Sequence, residues 1–107
     1  MLETEALKEV NNSVVKRFVD VIILGELKKN GPLSGYDIIS LILQKFHVLI
    51  SPGKVYSVLY ALKRKGLIKG DSSVKKRIYT LTSKGERAVM EVIEESQSLL
   101  RYLLNLF

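Results

Sequence analysis

Apolar residues recur at helical spacing in four stretches of the chain, with short β-branched runs between them. Val14, Val15, Phe18, Val19, Ile22, Ile23 and Leu27 follow a 3.6-residue period behind Ser13, a residue suited to capping, and the pattern stops at Asn30-Gly31-Pro32. This predicts one helix over residues 13–30. The polar, acidic residues 1–12, with only Leu2, Leu7 and Val10 apolar at intervals, read as an N-terminal extension, either a frayed helix or a lead-in. Ser34 is placed to cap a second helix from Gly35 to about Phe46, with Tyr36, Ile39 and Leu43 on its apolar stripe. Val48-Leu49-Ile50 suits a brief strand or an extended link.

The clearest start signal is Ser51-Pro52-Gly53, because serine satisfies free N–H groups at a helix end while proline arrives with its φ already set. The third helix so begun runs to Lys65 and ends at Gly66. Leu67 to Asp71 and Lys76 to Leu81 then read as two strands joined by the polar link Ser72-Ser73-Val74-Lys75, a hairpin with a basic second strand. Ser83 with Glu86 three residues on resembles a capping box, and it opens a long helix whose apolar positions reach Phe107. Helix, helix, short strand, helix, hairpin is the winged helix-turn-helix order. The expected fold is therefore mostly α with a small β-hairpin. It divides into an extension (1–12), a winged helix-turn-helix DNA-binding domain (13–81) and a C-terminal dimerisation helix (82–107).

Charge sharpens the picture. The chain is 107 residues long with a formal net charge of +6, but Lys54 to Arg87 alone holds ten bases against Asp71 and Glu86, so the remainder is slightly acidic. Clustered bases fit a polyanionic partner and a Lys-rich solvated surface about equally, and the motifs must decide between them. On a helical wheel Val55, Val58, Leu59 and Leu62 fall on one side of the third helix, and Gly53, Lys54, Ser57, Tyr60, Ala61 and Arg64 on the other. Small residues there allow close approach, hydroxyls can reach phosphates or base edges, and the bases supply charge. Ser51 adds a helix N-terminus for a phosphate, while Lys75, Lys76 and Arg77 extend the basic surface onto the hairpin. Tyr36 fits either the core or a phosphate contact, and Tyr56 fits the core better.

Other chemistry finds little support. With no cysteine and a single histidine, His47, which suits a helix end, the chain lacks thiol nucleophiles, zinc-thiolate sites and the means for a His-based metal site or triad. No enzyme, metal or cofactor is expected. No apolar run reaches the roughly 18 residues of a membrane span. Acids stand near the N-terminus where a secretory signal would carry bases, so the expected location is cytoplasmic. The apolar end from Leu99 to Phe107 could lie on a bilayer, but Glu91, Glu94 and Glu95 on that helix oppose it. A winged-helix docking module that meets an acidic protein is the principal alternative to DNA binding.

Four segments resemble the PadR family of transcriptional regulators: Ile22 to Leu27, Gly31-Pro32-Leu33-Ser34-Gly35-Tyr36-Asp37-Ile38, Ser51-Pro52-Gly53-Lys54-Val55-Tyr56-Ser57-Val58-Leu59 with Lys65-Gly66-Leu67-Ile68, and Arg77 to Gly85. The resemblance spans roughly residues 18–90. It implies a dimeric winged-helix repressor of double-stranded DNA, a recognition helix beginning at Ser51, Tyr36 near the DNA backbone, and a C-terminal helix that makes the dimer. With its single C-terminal helix the chain resembles the small subgroup of that family. Its hairpin, Asp71 to Arg77, is short and lacks the prolines often found in the family. Members respond to phenolic acids, to drugs or to no known ligand, and this sequence names no small-molecule effector. The candidate DNA-binding residues are Ser34, Tyr36, Ser51, Gly53, Lys54, Ser57, Tyr60, Arg64, Lys75, Lys76 and Arg77. The candidate dimerisation residues are Val92, Leu99, Leu100, Leu103, Leu104 and Phe107.

Overall fold

The structure is a computed structural model and describes residues 4–71 and 77–106. Its elements run α1 (Glu5–Arg17), α2 (Val19–Asn30), β1 (Leu33–Ser34), α3 (Gly35–Phe46), α4 (Pro52–Arg64), β2 (Ile68–Asp71), β3 (Ile78–Leu81) and α5 (Ser83–Leu106). The mostly helical winged fold expected from the hydrophobic pattern is present.

The first helix is the main correction. Two helices, not one, cover residues 5–30, and Ser13 lies inside α1. The cap of α1 is Thr4, whose hydroxyl accepts from the Leu7 N–H at 3.1 Å. The chain then breaks at Phe18 (φ −106°, ψ 22°), where the Phe18 N–H is shared between the carbonyls of Val14 and Val15. No glycine or proline marks this break, so nothing local announces it. The boundary drawn at residue 12 falls within α1.

α3 begins with a capping box: the Ser34 hydroxyl accepts from the Asp37 N–H, and the Asp37 carboxylate accepts from the Ser34 N–H, each at 3.0 Å. Its buried face is Ile38 and Ile42 with Gly35, one residue round from the stripe expected, leaving Tyr36 and Leu43 exposed. Val48-Leu49-Ile50 forms no strand. It is the extended-link alternative that occurs, with Val48 and Ile50 buried and Leu49 turned outward. The glutamate of α2 ties down the far end of α3, as Glu26 takes Lys45 Nζ on one oxygen at 2.6 Å and Asn30 Nδ2 on the other at 2.8 Å.

The sheet has three strands in the order β1-β3-β2, all antiparallel, so the wing hairpin gains a third strand from Leu33 and Ser34. Tyr79, central in β3, faces Leu33 on one side and Gly70 on the other and is buried. The core is one cluster in which Ile23, Ile38, Ile42, Ile50, Val55, Leu59 and Ile68 are almost fully enclosed.

The corner between wing and α5 is built from hydrogen bonds. α4 ends at Gly66 (φ 77°), whose N–H reaches the Lys63 carbonyl while the Leu67 N–H reaches that of Leu62, a Schellman closure that needs the left-handed conformation glycine adopts freely. Thr82, rather than Ser83, caps α5: its hydroxyl donates to the Gly66 carbonyl at 2.6 Å and accepts from the Gly85 N–H at 3.0 Å. α5 leaves this corner with only Gly85 and Val89 buried, and from Ile93 onward every described residue is exposed. The molecule is accordingly elongated, 50 × 30 × 20 Å.

Candidate nucleic-acid interface

α4 is held from below and bare above. Val55, Leu59 and Leu62 are buried against the core, which fixes the rotation of the helix about its own axis. The opposite face therefore must point outward, and Gly53, Lys54, Ser57, Tyr60 and Arg64 are all exposed along it, with Ala61 half-buried at its edge. The exposed Ser51 hydroxyl accepts from the Lys54 N–H at 3.2 Å, and Pro52 occupies the first turn. The free amides and positive dipole end of this helix lie at the start of that face, a ready anion site. Arg64 lies over the Tyr60 ring at 5.8 Å from its centroid, a cation–π contact that holds the guanidinium along the face.

The other candidates divide. Tyr36 is 67% exposed at the start of α3, placed for the phosphate alternative and not for the core. Ser34 is withdrawn: at 1% exposure, with its hydroxyl engaged in the capping box, it has no surface to offer a ligand. Tyr56 is 46% exposed, so the core reading fails, although its ring rests directly on Gly35 where a Cβ would come within 2.6 Å of it. Arg77 is exposed at the base of the wing and runs alongside Gly70 of the neighbouring strand. Lys75 and Lys76 lie outside the described residues, as does Phe107 among the dimerisation candidates.

Sequence reasoning missed one group entirely. Lys16 and Arg17, in the last turn of α1, border a cleft whose other wall is one flank of α4, with Lys54, Ser57 and the capping Lys65 along it. Their only sequence signal was a basic pair, which gains meaning once the fold sets the end of α1 across a cleft from α4.

Two helices are left with apolar faces uncovered. On α5, Leu99, Leu100, Leu103 and Leu104 are 40–66% exposed, and Val92 is half-buried. On α1, Leu7, Val10, Val14 and Phe18 form a matching stripe, each about half exposed or more. No helix among the described residues is long and apolar enough to cross a membrane, and no cluster of three or more potential metal ligands occurs among them.

A helix with a bare, basic outer face, presented on a helical support beside a small antiparallel sheet, is the winged-helix arrangement. The sequence model of the transcriptional regulator PadR-like family matches residues 23–91, well over half the chain, and the protein belongs to that family. Among solved structures it is similar to a transcriptional regulator from Clostridium thermocellum, at 28% identity and TM-score 0.74 over 89% of this chain and 94% of that one. A PadR family transcription regulator from Clostridium difficile shares the fold at 22% identity and TM-score 0.70, covering 82% and 95% of the two chains. PadR of Bacillus subtilis, solved in complex with p-coumaric acid, is 34% identical with TM-score 0.59 over 73% of this chain and 42% of its own. No curated protein sequence matches the chain.

Proposed function

We propose that the protein is a sequence-specific repressor that binds double-stranded DNA as a homodimer, with α4 in the major groove. The observation that carries this reading is the outward face of α4, where Gly53, Lys54, Ser57, Tyr60 and Arg64 combine close approach, hydrogen-bonding groups and positive charge on one exposed surface. Ser57 and Arg64 are assigned to base edges; Lys54, Tyr36 and the wing bases Lys75, Lys76 and Arg77 to phosphates. Residues 13–81 act as the DNA-binding unit and residues 82–107 as the dimerisation helix. Support for the dimer comes from α5, whose 24 residues extend about 36 Å, well past the support it packs on. A second copy that covers the exposed leucines removes the cost of keeping them in water. Twofold pairing sets two recognition helices about one DNA turn, roughly 34–36 Å, apart. Repression follows from occupancy, since a dimer seated on both half-sites excludes other proteins from that DNA. The B. subtilis relative was solved with p-coumaric acid, and an aromatic acid is the first effector class to test for release of DNA.

Selection of bound sites from random DNA, followed by gel shifts across a salt series, tests the reading. The expected product is a palindromic motif with half-sites one turn apart. Equal binding to all sequences would refute sequence-specific recognition, and no DNA binding at all would refute the interface.

A further inference from the structure

The cleft between the end of α1 and the recognition helix has the makings of a second phosphate clamp. Four basic residues line it: Lys16 and Arg17 from the last turn of α1, Lys54 from the first turn of α4 and Lys65 just past its end. Bases in a final helical turn are ordinary complements of the helix dipole, but that does not account for their meeting the bases of α4 across one opening. The cleft holds one acid, Asp20, and its carboxylate accepts from the Val21 N–H at 2.8 Å. The ion pairs among the described residues, Lys28 with Glu86 and Lys45 with Glu26, involve none of the four cations. At about 200 Å³ the cleft is smaller than the 300–1,000 Å³ typical of small-molecule pockets. Its position decides the occupant. One long side of α4 faces this cleft, and the other faces a cleft bordered by Tyr60, Lys63 and Arg77 toward the wing. A helix in the major groove has a phosphate strand on each side, so each flank meets one strand.

Resting on the DNA-binding reading above, we propose that Lys16 and Arg17 at the α1–α2 corner grip the phosphate strand opposite the one held by the wing. The major groove is then clamped from both sides, and α1 serves in DNA binding as well as in support.

The test is the exposed double variant Lys16→Ala/Arg17→Ala in the full chain, measured by gel shift across a salt series and by phosphate-ethylation interference. Loss of two contacts per protomer should lower the log-log salt slope of the dimer by about 3 to 4 and weaken all sequences alike by tenfold or more, with the preferred motif unchanged. Ethylation interference should vanish at phosphates of one strand in each half-site and persist at those on the wing side. Asp20→Asn, which keeps the acceptor for Val21 and removes the opposing charge, should tighten binding about threefold per protomer; because this is a gain, loss of folding cannot imitate it. Unchanged slope and interference in the double variant, or unchanged affinity in Asp20→Asn, overturns the clamp while wild-type binding leaves the DNA reading standing. A wild-type chain that binds no DNA overturns both.

Discussion

Gly85 offers a sharp test of the corner that joins the wing to α5. A Cβ built there would stand 2.1 Å from the Leu67 carbonyl oxygen and 2.8 Å from Leu81 Cδ1, so in Gly85→Ala the helix and the strand entry must part by about 1 Å. That carbonyl is also the acceptor of the Thr82 N–H at 3.1 Å, and the neighbouring Thr82 hydroxyl joins Gly66 to the Gly85 amide. Overpacking of this kind costs about 1–3 kcal/mol, and weakening two hydrogen bonds adds roughly 1 kcal/mol each. Alanine's better helix propensity returns about 1 kcal/mol. The net is a destabilisation of about 2–4 kcal/mol, equivalent to a fall in Tm of roughly 10–30 °C for a domain of this size. Gly25 supplies the control: it lies inside α2 with nothing within 4 Å of its Cβ position, so Gly25→Ala should stabilise by about 0.5–1 kcal/mol through propensity alone. Urea denaturation of both variants at one fixed protomer concentration reads the difference. A Gly85→Ala chain as stable as wild type would show that the close packing of α5 on Leu67 is not what holds the corner.

Other outcomes follow from the same geometry. Leu100→Asp with Leu103→Asp should give a soluble monomer in sedimentation equilibrium whose binding to a palindromic site drops by orders of magnitude; a wild-type monomer at micromolar concentration would refute the dimer. Arg77→Ala should weaken every DNA sequence about equally, whereas Ser57→Ala or Arg64→Ala should also change the preferred sequence, and competition binding that shows no change would move base reading off α4. His47 caps α3 at φ 56°, a left-handed conformation unfavourable for a residue with a Cβ, so His47→Gly should raise stability by about 1 kcal/mol in thermal unfolding. An unchanged or lower stability there would mean that the imidazole contributes a contact worth more than the relieved strain.

Much of the support for α4 was legible in the chain because its causes are local. Serine then proline favour a helix start, glycine permits the left-handed stop at Gly66, and a 3.6-residue apolar period leaves Ser57, Tyr60 and Arg64 on the face opposite Val55 and Leu59. The long apolar α5 was equally plain, since twenty-four residues of helical pattern outrun any support so small a domain can offer. Tertiary packing decided the rest. The break at Phe18 has no residue of its own to cause it, and with it came the placement of Lys16 and Arg17 beside α4. Leu33 and Ser34 became a strand only because β3 offers an unpaired edge, and that pairing helps bury Ser34, which on sequence alone passed for a DNA contact. Tyr56 finds a place for its ring against Gly35 of a different helix, a contact that no local pattern around residue 56 announces. Caps and periods act over a few neighbouring residues and can be read along the chain, whereas breaks, edges and clefts depend on which distant surfaces meet.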